Sequence, residues 1–225
     1  MGLSKSIIHK LILTKGFSYY PEDEYLIQKV LSFTSSEKPC VLDVGCGNGH
    51  YSFMFKKSGA TVVSFDYNVK LIEENLRRAS LTGSSIRFIV ADGNYPEKFL
   101  TESVFDIIFM SSFSPFAIEI SRPLMKKHLD LLTHNGILVF IQNSDLGGDI
   151  RKTNIRNYSI AQLTDEFSQL DCNIEKVFFY DRHIIGRVLR SHVFSDISTV
   201  CYCIITQISS LPCNIVMIIS QKEKA

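Results

Sequence analysis

Short apolar runs of about five residues alternate along this chain with longer stretches whose apolar residues recur every three or four positions. The first period suits buried strands and the second suits amphipathic helices. Residues 40–44 form the first run, and a helical pattern over about 50–58 follows, with Phe53, Met54 and Phe55 as its apolar surface. A second strand over 61–65 stops at Asp66, and a helix over about 69–79 follows with Leu71, Ile72, Leu76 and Ala79 inward. Third and fourth strands are predicted over 86–91, ending at Asp92-Gly93, and over 105–110, running into Ser111. Next comes a helix over about 122–132. Ser121 is placed to cap it, Pro123 is tolerated in its first turn, and His134-Asn135-Gly136 reads as its stop. A fifth strand over 137–141, a helix over 160–170 capped by Ser159, and strands over 174–179 and 215–220 complete the pattern. Alternating strand and helix signals predict a parallel sheet with crossover helices on its faces.

Two segments sit outside this alternation. Residues 1–37 are read as an N-terminal helical cap, because Ile7, Ile8, Leu11 and Ile12 repeat every four residues beside Lys5, Lys10 and Lys15. Such a helix covers a substrate site or packs on the sheet, and contact with a membrane surface stays open. Residues 181–213 separate the last two strands and are too long for a structureless loop in a compact domain. They are read as a helical insertion, either a lid over the substrate pocket or a helix packed on the sheet edge. The whole chain, 1–225, is read as one domain.

The chemistry concentrates at the strand ends. Positions 41–51 read Val-Leu-Asp-Val-Gly-Cys-Gly-Asn-Gly-His-Tyr. Gly45, Gly47 and Gly49 let the backbone turn sharply and let a ligand touch the main chain. In open α/β sheets such a loop after the first strand is where nucleotide-like ligands bind. The dinucleotide fingerprint G-x-G-x-x-G/A would place its third small residue at His50, which does not fit. The run resembles motif I of the class I, Rossmann-like S-adenosylmethionine (SAM)-dependent methyltransferases, hydrophobic-Leu-Asp-hydrophobic-Gly-x-Gly-x-Gly, with no departure at Asp43 or the glycines. The resemblance covers roughly 38–180 and the last strand. It implies an α/β, three-layer α/β/α sandwich with a seven-stranded, mostly parallel sheet. The last strand would run antiparallel between the fifth and sixth.

Asp43, Asp66, Asp92 and Ser111 end four consecutive strands and would lie along one edge. A carboxylate at Asp66 can accept hydrogen bonds from both hydroxyls of a ribose, each worth about 1.5–3 kcal/mol. Its place matches the ribose acid of the methyltransferases, although NAD-binding proteins carry an acid with the same task. The resemblance further implies that Asp92, with Ala91 and Gly93, meets the adenine. It places Asp43 near the amino-acid portion of SAM, and Gly45, Cys46, Gly47 and Asn48 along the cofactor-binding loop. Tyr67 could cover the adenine face, Ser111 closes the row, and Tyr20 lies in a segment that closes over the cofactor in similar enzymes. No general base stands out; His183 in the insertion is the one candidate singled out. No metal site is read.

Composition narrows the acceptor more than the cofactor. Lys and Arg number 24 against 23 Asp and Glu, a net charge of +1. That argues against a nucleic-acid partner held by a broad basic surface, and the Asn-Pro-Pro-Tyr/Phe signature of amino-methylating enzymes is absent after the fourth strand. The six cysteines form no CxxC pair and read as free thiols of a reducing cytosol. No run approaches the roughly 18 apolar residues of a membrane span, and no secretory leader is read. The expected activity is methyl transfer from SAM to a small-molecule or biosynthetic-intermediate acceptor, releasing S-adenosylhomocysteine, in the cytoplasm. Two alternatives stay open. One is a non-catalytic SAM-fold binding subunit; the other is a same-fold enzyme of other chemistry, such as aminopropyl transfer or NAD-linked oxidoreduction.

Overall fold

The computed structural model describes residues 21–100, 104–113, 120–143, 158–180 and 214–222. The N-terminal residues 1–20, with Tyr20, and the insertion 181–213, with His183, lie outside the described residues. Helix α1 (Pro21–Leu31) leads into strand β1 (Cys40–Val44), helix α2 (His50–Lys57) and strand β2 (Thr61–Asp66). Helix α3 (Val69–Thr82), strand β3 (Ile86–Val90), a short 3₁₀ turn (Pro96–Lys98) and strand β4 (Phe105–Ser111) follow. Helix α4 (Arg122–Leu129), strand β5 (Leu132–Asn143), helix α5 (Ile160–Ser168), strand β6 (Cys172–Tyr180) and strand β7 (Asn214–Gln221) complete the order.

All seven strands form one sheet in the order β3-β2-β1-β4-β5-β7-β6. Pairings from β3 through β5 are parallel, and β7 runs antiparallel to both β5 and β6. This is the implied seven-stranded α/β/α sandwich. The inner strands are near-continuous apolar runs because both faces are covered. On one face Leu42, Ile108, Leu138, Phe140 and Met217 pack with residues of α4 and α5. On the other, Val41, Ile107, Phe109, Val139 and Val216 pack with residues of α1, α2 and α3. Period-two alternation along each strand divides these sets.

Local signals set several boundaries. Asn68 caps α3, its Oδ1 accepting from the amides of Lys70 and Leu71 at 3.1 and 3.4 Å, and Gly83 ends that helix at φ 66°. Ser159 caps α5 in a capping box with Gln162. Ser121 stands at the N-cap of α4 without a side-chain cap bond.

One boundary differs from expectation. Helix α4 ends at Leu129, and β5 has already begun at Leu132. His134, Asn135 and Gly136 therefore lie inside a strand. The pairing of β4 with β5 is irregular between Phe105 and Ile107. Gly136 permits the close approach there, since a Cβ on it would stand 2.8 Å from the Phe105 carbonyl oxygen. Glycine in a strand can mark such an approach as well as a helix stop.

Candidate functional site

The loop after β1 turns three times through left-handed backbone, at Gly45 (φ 65°), Gly47 (φ 53°) and Gly49 (φ 74°). L-residues adopt this region at a cost, which the glycines avoid. The loop is tied to β2 on one side. The amide of Cys46 donates to the Phe65 carbonyl at 2.9 Å, and the amide of Gly47 donates to Asp66 Oδ2 at 2.9 Å. Asp66 Oδ1 accepts from the Asn68 amide at 2.8 Å. Its carboxylate is thus held in place by two backbone donors, one from the glycine loop and one from the lead-in to α3. The Ala91 amide donates to the Asp66 carbonyl at 3.0 Å, which draws the end of β3 alongside.

These strand ends surround a cavity of about 490 Å³, within the size range of small-ligand sites. Gly45, Asp66, Tyr67, Ala91, Asp92 and Gly93 line it. Tyr67 is 70% exposed at the rim. Asp92 Oδ1 takes both the Asn94 amide at 2.9 Å and the Asn94 side-chain amide at 2.8 Å, which fixes the carboxylate. Six further lining residues had not been singled out for the site: Phe65, Asn68, Leu71, Asn94, Ser112 and Phe113. Ser112 rather than Ser111 faces the cavity, and it has the one positive φ, 53°, of any described non-glycine residue. This turn sets the following ring, Phe113, against the loops. A Cβ on Gly45 would stand 3.0 Å from that ring and one on Gly93 only 2.5 Å. A serine with positive φ leaves no periodic trace in a sequence, so this residue could not be found by pattern.

The other expected residues stand behind the cavity rather than on its wall. Asp43 is buried and accepts from the Ser52 hydroxyl at 2.5 Å. Burial pushes its carboxyl up to about 6, against the opposing pull of the Ser52 hydrogen bonds and the nearby His50. Cys46 is buried, and its thiol is raised far above the ordinary range by burial and by the Asp43 and Asp66 carboxylates. It is therefore no nucleophile. Asn48 is exposed, its Oδ1 accepting from the His50 amide at 3.2 Å.

Two residues that pattern reasoning passed over brace the loop from behind. His50 Nε2 lies 2.8 Å from the fully buried Asp23 carboxylate, which fastens α1 to the start of α2. Asn75 of α3 donates from Nδ2 to the Gly47 carbonyl at 2.9 Å. Its signal was an amide on the buried stripe that Ile72 and Ala79 share. Among the described residues no group of three or more His, Cys, Asp or Glu could hold a metal ion. No described helix is long and apolar enough to cross a membrane.

Sheet order and site together define a Rossmann-like nucleotide-binding fold with an intact glycine loop. The methyltransferase-domain family profile matches residues 35–190, more than half of the chain. The chain therefore belongs to that family, within the Rossmann-like SAM-dependent class. Solved structures share the fold at low identity. A SAM-dependent methyltransferase from Thiobacillus denitrificans, in complex with S-adenosylhomocysteine, superposes with a TM-score of 0.62 at 13% identity, covering 99% of this chain and 100% of its own. Geranyl diphosphate C-methyltransferase from Streptomyces coelicolor gives 0.64 at 11% identity, covering 89% and 81%. A TehB-like SAM-dependent methyltransferase from Corynebacterium glutamicum gives 0.58 at 15% identity, covering 96% of each chain. No curated protein matches the sequence.

Proposed function

We propose that this chain is a cytoplasmic, single-domain enzyme that transfers a methyl group from SAM to a small-molecule or biosynthetic-intermediate acceptor. The cavity at the ends of β1 to β4 carries this reading. It places a fixed carboxylate, a second carboxylate, glycine backbone and the aromatic rings of Phe65, Tyr67 and Phe113 around one space. That set fits an adenosine. Asp66 would accept from the ribose hydroxyls, Asp92 would face the adenine amino group, and Gly45 would allow close approach toward the amino-acid end. When bound, SAM supplies a methyl group on a sulfonium, already a good leaving group. The protein's task is then to orient the acceptor and exclude water, which contributes up to about 7–11 kcal/mol of the barrier. The near-neutral charge, +1, favours a small acceptor over a polyanion.

Calorimetric binding of SAM and S-adenosylhomocysteine, with NAD as control, tests the reading. Micromolar binding, about −8 kcal/mol, is expected. Asp66→Ala should lose about 1.5–3 kcal/mol or more, and Asp92→Ala less, because its site is open to water. Absence of binding to both SAM compounds would sink the proposal. SAM binding with no turnover to S-adenosylhomocysteine across an acceptor screen would favour a non-catalytic subunit.

A further inference from the structure

We propose that Asn75, on α3, is a positioning residue for the cofactor loop: it and Asp66 hold the Gly47 residue from either side, one at its carbonyl and one at its amide. The assignment rests on the reading of this loop as the cofactor's. Gly47 has its amide on Asp66 Oδ2 and its carbonyl on Asn75 Nδ2, each at 2.9 Å. The two peptide units that flank the Gly47 Cα are thereby each held by a side chain, from two different elements. Asn75 is 1% exposed, so its amide has exchanged water for this bond. The next glycine is fitted to the same side chain. A Cβ on Gly49 would stand 2.8 Å from Asn75 Oδ1, so the loop closes down on the amide with no room for any other residue.

The physical need for such a brace is plain. Three left-handed glycines in five positions have unusual freedom in the absence of restraint. A loop that must be ordered when the ligand arrives weakens binding by the entropy of that ordering, and a loop already ordered does not. Asn75 does not line the cavity, although Leu71, one turn before it on α3, does. Its contribution to binding would therefore come through Gly47. Asp66 sits at the join, since one carboxylate both holds the loop and faces the cavity.

Asn75→Asp separates positioning from packing, because the two side chains have nearly the same shape. A protonated carboxyl can donate to the Gly47 carbonyl as the amide does. An ionised one cannot, and it faces a carbonyl oxygen. Burial would raise the pKa of the new acid, so the bond should be present near pH 5 and lost by about pH 8. Asp66 of β2, Asp43 of β1 and His50 of α2 stand in or beside the loop, and Arg78 is buried three residues on along α3, in both proteins, so their contributions cancel in a ratio. The readout is therefore the ratio of SAM dissociation constants, Asn75→Asp over wild type, measured by calorimetry across that range. We expect a ratio near one at the acid end, rising about three- to tenfold at the alkaline end. Asn75→Leu, similar in volume but with no donor, should weaken binding about three- to tenfold at every pH. A flat ratio for Asn75→Asp would overturn the assignment even if Asn75→Leu fails to fold. So would a folded Asn75→Leu that binds SAM like wild type. Failure of the wild type itself to bind SAM is a different result: it would overturn the reading of the loop and this assignment with it.

Discussion

In β7 the five residues Ile215, Val216, Met217, Ile218 and Ile219 are all at most 1% exposed, while strands on the far side of β5 end in buried acids and left-handed turns. Asp43 and Asp66 are both buried at such ends, and Gly45, Gly47, Gly49 and Ser112 all have positive φ. The half built from β5, β7 and β6 is apolar pairing, with β7 clasped antiparallel on both sides. The half from β3 to β4 buries carboxyl groups and turns through left-handed backbone, at a cost in Ser112 alone of these four. Such features persist where the surrounding structure over-determines them, and here they share one edge and one cavity. On the proposed function the ligand meets only the β3-to-β4 half, so variants of the two halves should fail in different ways.

The largest effect is expected in the apolar half. Phe140 of β5 is fully buried and meets Phe167 of α5 ring to ring, centroids 5.5 Å apart at 66°. Phe140→Ala removes that contact and leaves a cavity, at a cost of about 3–5 kcal/mol. Urea denaturation should register the whole loss, while SAM affinity of the folded fraction stays at the wild-type value. A matching drop in affinity would break the division between the halves.

Next in size is a pair of opposed titrations, one from each half. Burial pushes the Asp43 carboxyl up to about 6. Burial also drives the His128 imidazole down to about 4, against the Leu124 carbonyl 3.0 Å from its Nδ1. An acid whose pKa is raised by folding binds more protons folded than unfolded. Asp43 therefore adds stability at low pH that is lost as pH rises from about 4 through about 6. A base whose pKa is lowered does the reverse. His128 adds stability above about 6.5 that is lost as pH falls through about 4. Each amounts to something on the order of 3 kcal/mol, so the two nearly cancel over the shared window. Asp43→Asn should leave a protein that weakens steeply with acid, and His128→Leu one that strengthens with acid. Urea midpoints collected at intervals from about pH 4 to about pH 7 decide it. Parallel slopes in the two variants would contradict both assignments.

What the sequence disclosed follows the same divide. Apolar runs located all seven strands, and the three glycines with Asp66 and Asp92 located the cavity, because these features are local and periodic. The failures arose where geometry depends on distant partners. Gly136 reads as a helix stop and is instead a strand glycine admitting the Phe105 carbonyl. Ser111 reads as the edge residue, yet the positive φ of Ser112 turns the chain so that Ser112 and Phe113 face the cavity. The Asp23–His50 hydrogen bond spans 27 positions, and neither residue belongs to a motif that would join them. Asn75 was visible only as a polar residue on an apolar stripe, and its partner was not visible at all.

The smallest effects discriminate best, because two side-chain helix caps stand one in each half. Ser159 caps α5, accepting from the Gln162 amide at 3.2 Å while Gln162 reaches back to the Ser159 amide at 2.9 Å. Asn68 caps α3, and it also lines the cavity and donates its own amide to Asp66 Oδ1 at 2.8 Å. Ser159→Ala and Asn68→Ala should each cost about 1 kcal/mol of stability. Only Asn68→Ala should weaken SAM binding, since loosening the start of α3 loosens one of the two backbone donors on Asp66. Asn68→Ser should restore the cap, and with it most of both losses. Equal SAM affinity in the two alanine variants would mean that the cavity tolerates movement at its rim. The fixed carboxylate could then no longer explain recognition, and the division between the two halves of the sheet would have to be drawn closer to the glycine loop itself.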